Sequence, residues 1–311
     1  MGAVSPAAPS PQARAFEDAE RALLSGYGVA AESRYVRLAD PALTVRVLES
    51  GAGDPLVLVH GSGMSAGTWG PMLARLGDRR VHAVDLPGFG LSDPCDYSAR
   101  PLRRHAVAQL VSLLDALGLE RVPVAGTSLG AMWAMNLALE HPERVRSVVA
   151  LSIPAVALPG MKADPFFRAM TTPGVRALVS RVPPPRSAAA ARRAMRGAMG
   201  RAVTERLPDT FFDVVRTGMR MPGWRRAMVT HLNAALAKGR ARPENLFSDD
   251  ELPSFEVPVL FVIGDADVYG PPSVVERAAA LMPGARVEVM PGGHTPFLDD
   301  PKRCAGLIRA W

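Results

Sequence analysis

The stretch Val122-Pro-Val-Ala-Gly126-Thr127-Ser128-Leu129-Gly130-Ala131-Met132 decides how the rest of the chain is read. A short apolar run enters Gly-x-Ser-x-Gly, and an apolar segment of helical character, Ala131 to Ala138, follows at once. Strand, one-residue turn and helix is the layout of a nucleophile elbow, which exposes the serine hydroxyl at a strained backbone position. The flanking glycines remove side chains that would collide with the neighbouring strand and helix. Alone, the pentapeptide arises by chance in roughly one sequence of this length and composition in seven, so its surroundings must carry the argument. On the motif by itself, Ser128 reads equally well as a loop serine capping the next helix.

The surroundings alternate. Apolar runs that read as strands lie at 55–59, 80–85, 121–126, 145–151, 257–263 and 285–290, with amphipathic segments between them at 68–76, 102–117, 130–140, 272–282 and 301–310. Strand alternating with helix predicts a mostly parallel sheet covered on both faces. Ahead of the first run, 34–38 and 43–48 flank Asp40-Pro41 and read as an antiparallel hairpin. The alternation stops between Pro154 and Pro253. That stretch shows helical patterns (Phe166–Met170, Val175–Arg181, Ala188–Met199, Asp209–Arg220, Arg225–Leu236) broken by prolines, and predicts an all-helical insertion. Ala15 to Ser25 reads as a short helix, and Met1 to Arg14, rich in Ala, Pro and Ser, as a disordered tail without the apolar core of a signal peptide.

Composition narrows the class. The chain has 311 residues, 48% apolar and 21% charged, which suits one large globular unit. No apolar run approaches the roughly 18 residues that span a bilayer. Two cysteines, Cys95 and Cys304, are too few for a disulfide framework, so a reducing cytoplasm is expected. Net charge is +6, concentrated in residues 155–251, where 15 Arg and 2 Lys face 8 acids. No interleaved aromatics or nucleic-acid motif accompany those arginines, so they read as a solvated basic surface rather than a nucleic-acid face.

A serine hydroxyl is a poor nucleophile at neutral pH. It needs a histidine to take its proton, a carboxylate to orient that histidine, and donors for the oxyanion that forms. Each has a candidate at the C-terminal end of an expected strand, the edge where open parallel sheets place their sites. His294 lies in the loop Pro291-Gly-Gly-His294-Thr-Pro296 after the last strand, whereas His82 falls inside an expected strand, His105 and His141 within or at the end of helices, and His231 in the insertion. Val259-Leu-Phe-Val-Ile-Gly264-Asp265-Ala-Asp267 ends a strand in a turn with two aspartates. Asp267 is the expected acid, with Asp265 as the alternative or as a turn-forming residue. The order Ser, Asp, His belongs with this elbow. The loop His60-Gly61-Ser62-Gly63-Met64 exposes backbone N–H groups for an oxyanion, with Leu129 N–H as a second donor.

With these motifs in order, together with Asp85-Leu-Pro-Gly88-Phe-Gly90-Leu-Ser92-Asp93, the chain resembles the α/β-hydrolase fold superfamily over roughly residues 35–154 and 252–311. The resemblance implies a mostly parallel eight-stranded sheet flanked by helices, with an all-helical lid between strands 6 and 7. The corresponding division is 1–33 tail and short helix, 34–154 plus 252–311 core, and 155–251 lid. It implies Ser128, Asp267 and His294 as a triad, Ser62 and Leu129 N–H groups as oxyanion donors, a structural His60, and no metal or cofactor. The implied activity is hydrolysis of a small to medium apolar carboxylic ester. Alternatives are carbon–carbon bond hydrolysis of a diketone-like substrate, suggested by His60-Gly-Ser-Gly63, and a non-hydrolytic lyase or binding role. Serine at the elbow disfavours dehalogenases and epoxide hydrolases, which carry aspartate there. One rival pattern competes: Gly61-Ser-Gly63-Met-Ser-Ala66 with Asp85 about 20 residues on matches a dinucleotide fingerprint, but leaves Ser128, Asp267 and His294 unexplained.

Overall fold

The elbow lies near the middle of an eight-stranded sheet in the computed structural model, which describes residues 10–162, 165–175 and 181–311. In chain order the strands are β1 (Ala31–Arg37), β2 (Thr44–Ser50), β3 (Asp54–Val59), β4 (Arg79–Val84), β5 (Val122–Gly126), β6 (Val145–Leu151), the two-residue pair β7 (Leu236–Ala237) and β8 (Arg240–Ala241), then β9 (Val259–Gly264) and β10 (Arg286–Met290). The sheet runs β1-β2-β4-β3-β5-β6-β9-β10. β1 pairs antiparallel with β2 and β2 with β4, while every other pairing in this eight-stranded sheet is parallel.

Alternation of side chains divides the core between the two faces. Val57, Val59, Val124, Val148, Phe261 and Ile263 enter one apolar cluster, under the helices α3 (Leu102–Leu117) and α4 (Leu129–Glu140), which come after the one-turn α2 (Gly70–Leu73). Leu56, Leu58, Ala125, Val149, Leu260 and Val262 enter the other, with the C-terminal helix Pro301–Ala310. Strands apolar on both faces can only be interior, which is why the runs at β3, β5 and β9 were legible as strands.

The N-terminal helix, α1, differs from the expectation of a tail followed by a short helix. It runs Pro11–Gly26, capped by Ser10, whose hydroxyl accepts the Ala13 N–H at 3.1 Å, with proline in its first turn. The disordered tail therefore cannot extend to Arg14; residues 1–9 lie outside the described residues. α1 buries Phe16, Leu23 and Leu24, each contributing about 1.5–3 kcal/mol of transfer free energy.

α1 also supplies one arm of a buried ionic cluster. Arg46, fully buried on β2, bonds Glu20 through Nη2 at 2.6 and 2.7 Å, and its Nε lies 2.9 Å from Asp85. One guanidinium facing two carboxylates leaves a net negative charge in a dry site. Burial, with Asp85 adding to it, accordingly pushes the Glu20 carboxyl up to about 7 from 4.5 despite the pull of Arg46. Across that interval the folded state binds more protons at Glu20 than the unfolded chain, so this contribution is fully present below about pH 4.5 and is lost as pH rises through about 7. Urea unfolding of Glu20→Gln should show a flatter pH dependence across that window than wild type. Arg46→Met should lose about 3–5 kcal/mol above pH 7, because it strands two buried carboxylates.

The insertion between β6 and β9 contains helices Pro165–Thr171, Ala188–Met199, Arg201–Arg206, Asp209–Gly218 and Trp224–Ala235. It is not all-helical as expected, because β7 and β8 form a small hairpin. Lys238 (φ 49°) and Gly239 (φ 75°) are consecutive left-handed residues, the requirement of a tight two-residue hairpin turn, and the strands are too short to register as an apolar run. The helix expected over Val175–Arg181 falls largely outside the described residues. Phe211, Phe212 and Val215 join Phe16 of α1 in one cluster, while Met228 and Leu232 join the other. Among the described residues no helix is long and apolar enough to cross a membrane.

Candidate active site

Ser128 sits between β5 and α4 with φ 52° and ψ −113°, a conformation rare for a residue with a side chain. The local sequence permits it by close approach. A Cβ at Gly130 would lie 2.1 Å from the Val59 carbonyl oxygen, and one at Gly126 would lie 2.4 Å from the Gly130 backbone. The two glycines thus let α4 rest directly on β3 and β5. Ser128 makes no side-chain cap bond to α4, which removes the helix-capping alternative.

Asp267 and His294 meet across the ends of β9 and β10. His294 Nδ1 lies 2.8 Å from one Asp267 oxygen and 3.0 Å from the other, and both residues are buried. The carboxylate also accepts N–H groups of Tyr269 at 2.9 Å and Ile153 at 3.3 Å. Glycine at 264 is required, since a Cβ there would stand 2.1 Å from the Gly293 carbonyl oxygen. Asp265 instead accepts the Gly292 N–H at 3.1 Å, shaping the histidine loop from outside. Of the two aspartates, Asp267 is therefore the one that meets the histidine. The Tyr269 ring packs edge-on against His294 at 4.2 Å. His294 Nε2 has no hydrogen-bonding partner among the described residues, so a contact with Ser128 Oγ is not closed in this conformation. Such contacts are commonly loose before substrate binds.

Ser62 and Leu129 border the same cavity as Ser128, and among the described residues no hydrogen bond uses either N–H. The cavity measures about 30 Å³. Its described lining carries no Asp, Glu, Lys or Arg, and includes Val156, Phe167 and Tyr269.

His60 and Asp85 shape the loop that follows β3. His60 Nδ1 contacts the Gly61 carbonyl at 2.8 Å and Nε2 accepts the Leu86 N–H at 3.0 Å, a neutral ring with both nitrogens engaged; burial lowers its pKa. Asp85 accepts the N–H groups of Ala66 at 2.7 Å and Leu91 at 2.9 Å besides facing Arg46. Fully buried and held by these partners, the Asp85 carboxylate is out of reach of a ribose, which removes the dinucleotide reading. Cys95 and Cys304 are buried, and burial pushes their thiols up to about 11 and about 12, leaving them unreactive.

Sequence reasoning missed Ser152. It follows β6 directly at φ 132°, fully buried, and its Oγ accepts the Ser128 N–H at 2.8 Å. The next residue, Ile153, donates to Asp267, so this corner ties the Ser128 turn to Asp267. A serine closing an apolar strand carries no pattern that would single it out. Ser152→Ala leaves the half-buried Ser128 N–H without its acceptor, at about 1 kcal/mol. Turnover on an ester substrate should fall about tenfold to a hundredfold with KM little changed, and an unchanged kcat would show that the bond does not hold the elbow.

The family model described as alpha/beta hydrolase family matches residues 56–307. A 2-hydroxymuconate semialdehyde hydrolase of Pseudomonas sp. (strain CF600) is 42% identical over 118 residues, 36% of this chain and 40% of that protein. The pimeloyl-[acyl-carrier protein] methyl ester esterase of Aeromonas hydrophila is 28% identical over 275 residues, 86% of this chain and 98% of that protein. The crystal structure of carboxylesterase CesB (YbfK) from Bacillus subtilis superimposes with a TM-score of 0.77 at 25% identity, covering 97% of this chain and 98% of that one.

Proposed function

This chain belongs to the alpha/beta hydrolase family, and from that premise we propose that it is a serine hydrolase cleaving a small to medium apolar carboxylic ester. The observation that carries the reading is Ser128, held at φ 52° at the head of α4 and bordering one cavity with Ser62 and Leu129. In the proposed reaction His294 removes the Ser128 proton, and Oγ attacks the ester carbonyl carbon. Asp267 keeps the ring in the tautomer that presents Nε2 and stabilises the imidazolium. The Ser62 and Leu129 N–H groups hold the oxyanion, each contributing on the order of two to three powers of ten in rate. The alcohol leaves with the proton from His294, and water, deprotonated by the same ring, then releases the acyl group as a carboxylic acid.

The helices after β6 act in this reading as a lid. Trp224 donates its indole N–H to the Gly63 carbonyl at 3.2 Å, and helix Trp224–Ala235 places Leu232 and Ala235 on the cavity wall. A cavity of about 30 Å³ is roughly a tenth of the smallest sites that hold drug-sized ligands, so this helix must shift to admit substrate. The uncharged wall supports an apolar acyl group.

A second reading, hydrolysis of a carbon–carbon bond beside a ketone, draws support from the 42% identical segment shared with the semialdehyde hydrolase. One experiment separates them. A panel of p-nitrophenyl esters graded by acyl length is assayed beside one vinylogous diketone, with fluorophosphonate labelling of the protein. The ester reading expects labelling and ester turnover without diketone cleavage. Dominant diketone cleavage would favour the second reading, and an unlabelled, inactive protein would sink both.

A further inference from the structure

His231 has no place in the reaction above, yet it borders the same cavity. It lies on helix Trp224–Ala235, is 1% exposed, and neither ring nitrogen has a hydrogen-bonding partner among the described residues. Its nearest ring, Tyr97, stands edge-on at 5.6 Å, and the Tyr97 hydroxyl is already given to the Pro87 carbonyl at 2.9 Å. Leu129, Val156, Leu232 and Leu236 on the same wall are apolar, and the wall's hydroxyls, on Ser62, Ser128 and Tyr269, hydrogen-bond neither His231 nitrogen. Buried polar atoms are hydrogen-bonded in nearly all proteins, and an unmatched one is costly unless something else meets it.

We infer that His231 is a substrate-recognition residue, and that the substrate carries a second, uncharged oxygen, a ketone or hydroxyl on its acyl part, which this ring hydrogen-bonds once the helix admits it. The inference rests on the hydrolase reading of Ser128. Burial, with His60 and His105 nearby, lowers the ring to about 3, so it is neutral at working pH and presents one N–H and one lone pair. A neutral ring cannot balance a carboxylate, and burying one against a wall without a cation is strongly disfavoured. Esters of dicarboxylic acids with a free acid end are therefore poor ligands, and oxo- or hydroxy-acyl esters good ones. A pocket that hydrogen-bonds a ligand oxygen discriminates against the analogue that lacks it far more strongly than an apolar wall discriminates by size.

The test measures binding, separately from turnover. In the Ser128→Ala protein, calorimetry gives Kd for an alkyl hexanoate ester and for its oxo analogues, with the ketone moved one carbon at a time. One isomer should bind about tenfold to a hundredfold more tightly than the plain ester. That preference should vanish in His231→Phe, return in part in His231→Gln, and persist in His105→Phe, whose ring is also buried and unpartnered but does not line the cavity. Equal binding of all isomers, no measurable binding of any, a preference that survives His231→Phe, or tighter binding of the matching half-ester acid would overturn the inference. Failure of the esterase reading shows elsewhere, as wild type that turns over none of these esters.

Discussion

Ser128→Ala is expected to lower kcat on the best ester of a graded panel by about a millionfold while leaving KM within a few fold. The size of the effect follows from the proposed division of labour. His294 and Asp267 act only through the serine oxygen, so without Oγ the remaining rate comes from the oxyanion donors and binding alone. Ser128→Ala should also abolish fluorophosphonate labelling. Activity within tenfold of wild type would remove Ser128 from the reaction. The same position makes a stability prediction of opposite sense. Serine and alanine share the strain of φ 52°, whereas glycine does not, so Ser128→Gly should unfold at higher temperature than Ser128→Ala by the equivalent of about 1 kcal/mol.

Asp267→Asn is expected to cost about ten-thousandfold in kcat. An amide can donate to Nδ1 and thereby hold the ring in the tautomer whose Nε2 already bears a proton. It also removes the negative charge that the imidazolium requires, while preserving shape and so the fold. The Tyr269 and Ile153 N–H groups that now meet the carboxylate lose an acceptor of full charge, which adds a smaller loss of stability. Asp265→Asn provides the comparison, since that side chain accepts a loop N–H rather than touching His294, and its kcat should change by only a few fold. A reversed ranking of the two variants would assign the acid to Asp265.

Much of the architecture was legible because its causes are local. β3, β5 and β9 are apolar on both faces and bounded by turn residues, so composition alone marks them as interior parallel strands. Glycines 126, 130 and 264 stand where a single Cβ would strike backbone, and Asp267 and His294 follow strands whose ends must share one edge. What stayed hidden depends on partners distant in the chain. The start of α1 is hidden because Pro11 to Arg14 has the composition of a tail, and the helix's role appears only when Glu20 meets Arg46 and Phe16 meets helix Asp209–Gly218. The β7–β8 hairpin was missed because two-residue strands have no period to detect. Ser152 and His231 were passed over because a buried serine and a helical histidine are unremarkable until their neighbours are known.

The sequence by itself determined the fold class, the elbow, and the order in which serine, aspartate and histidine arrive at the sheet edge, since periodicity, glycine placement and chain order are properties of the string. Only the tertiary structure decided that Asp267 rather than Asp265 meets His294, that Asp85 is taken up by Arg46 and the Ala66 and Leu91 N–H groups, and that His231 stands on the wall beside Ser128 without a hydrogen-bonding partner among the described residues. Those are distances between residues far apart in the chain, and the physics that ranks them (desolvation, hydrogen-bond satisfaction and the reach of a carboxylate) has no counterpart in one dimension.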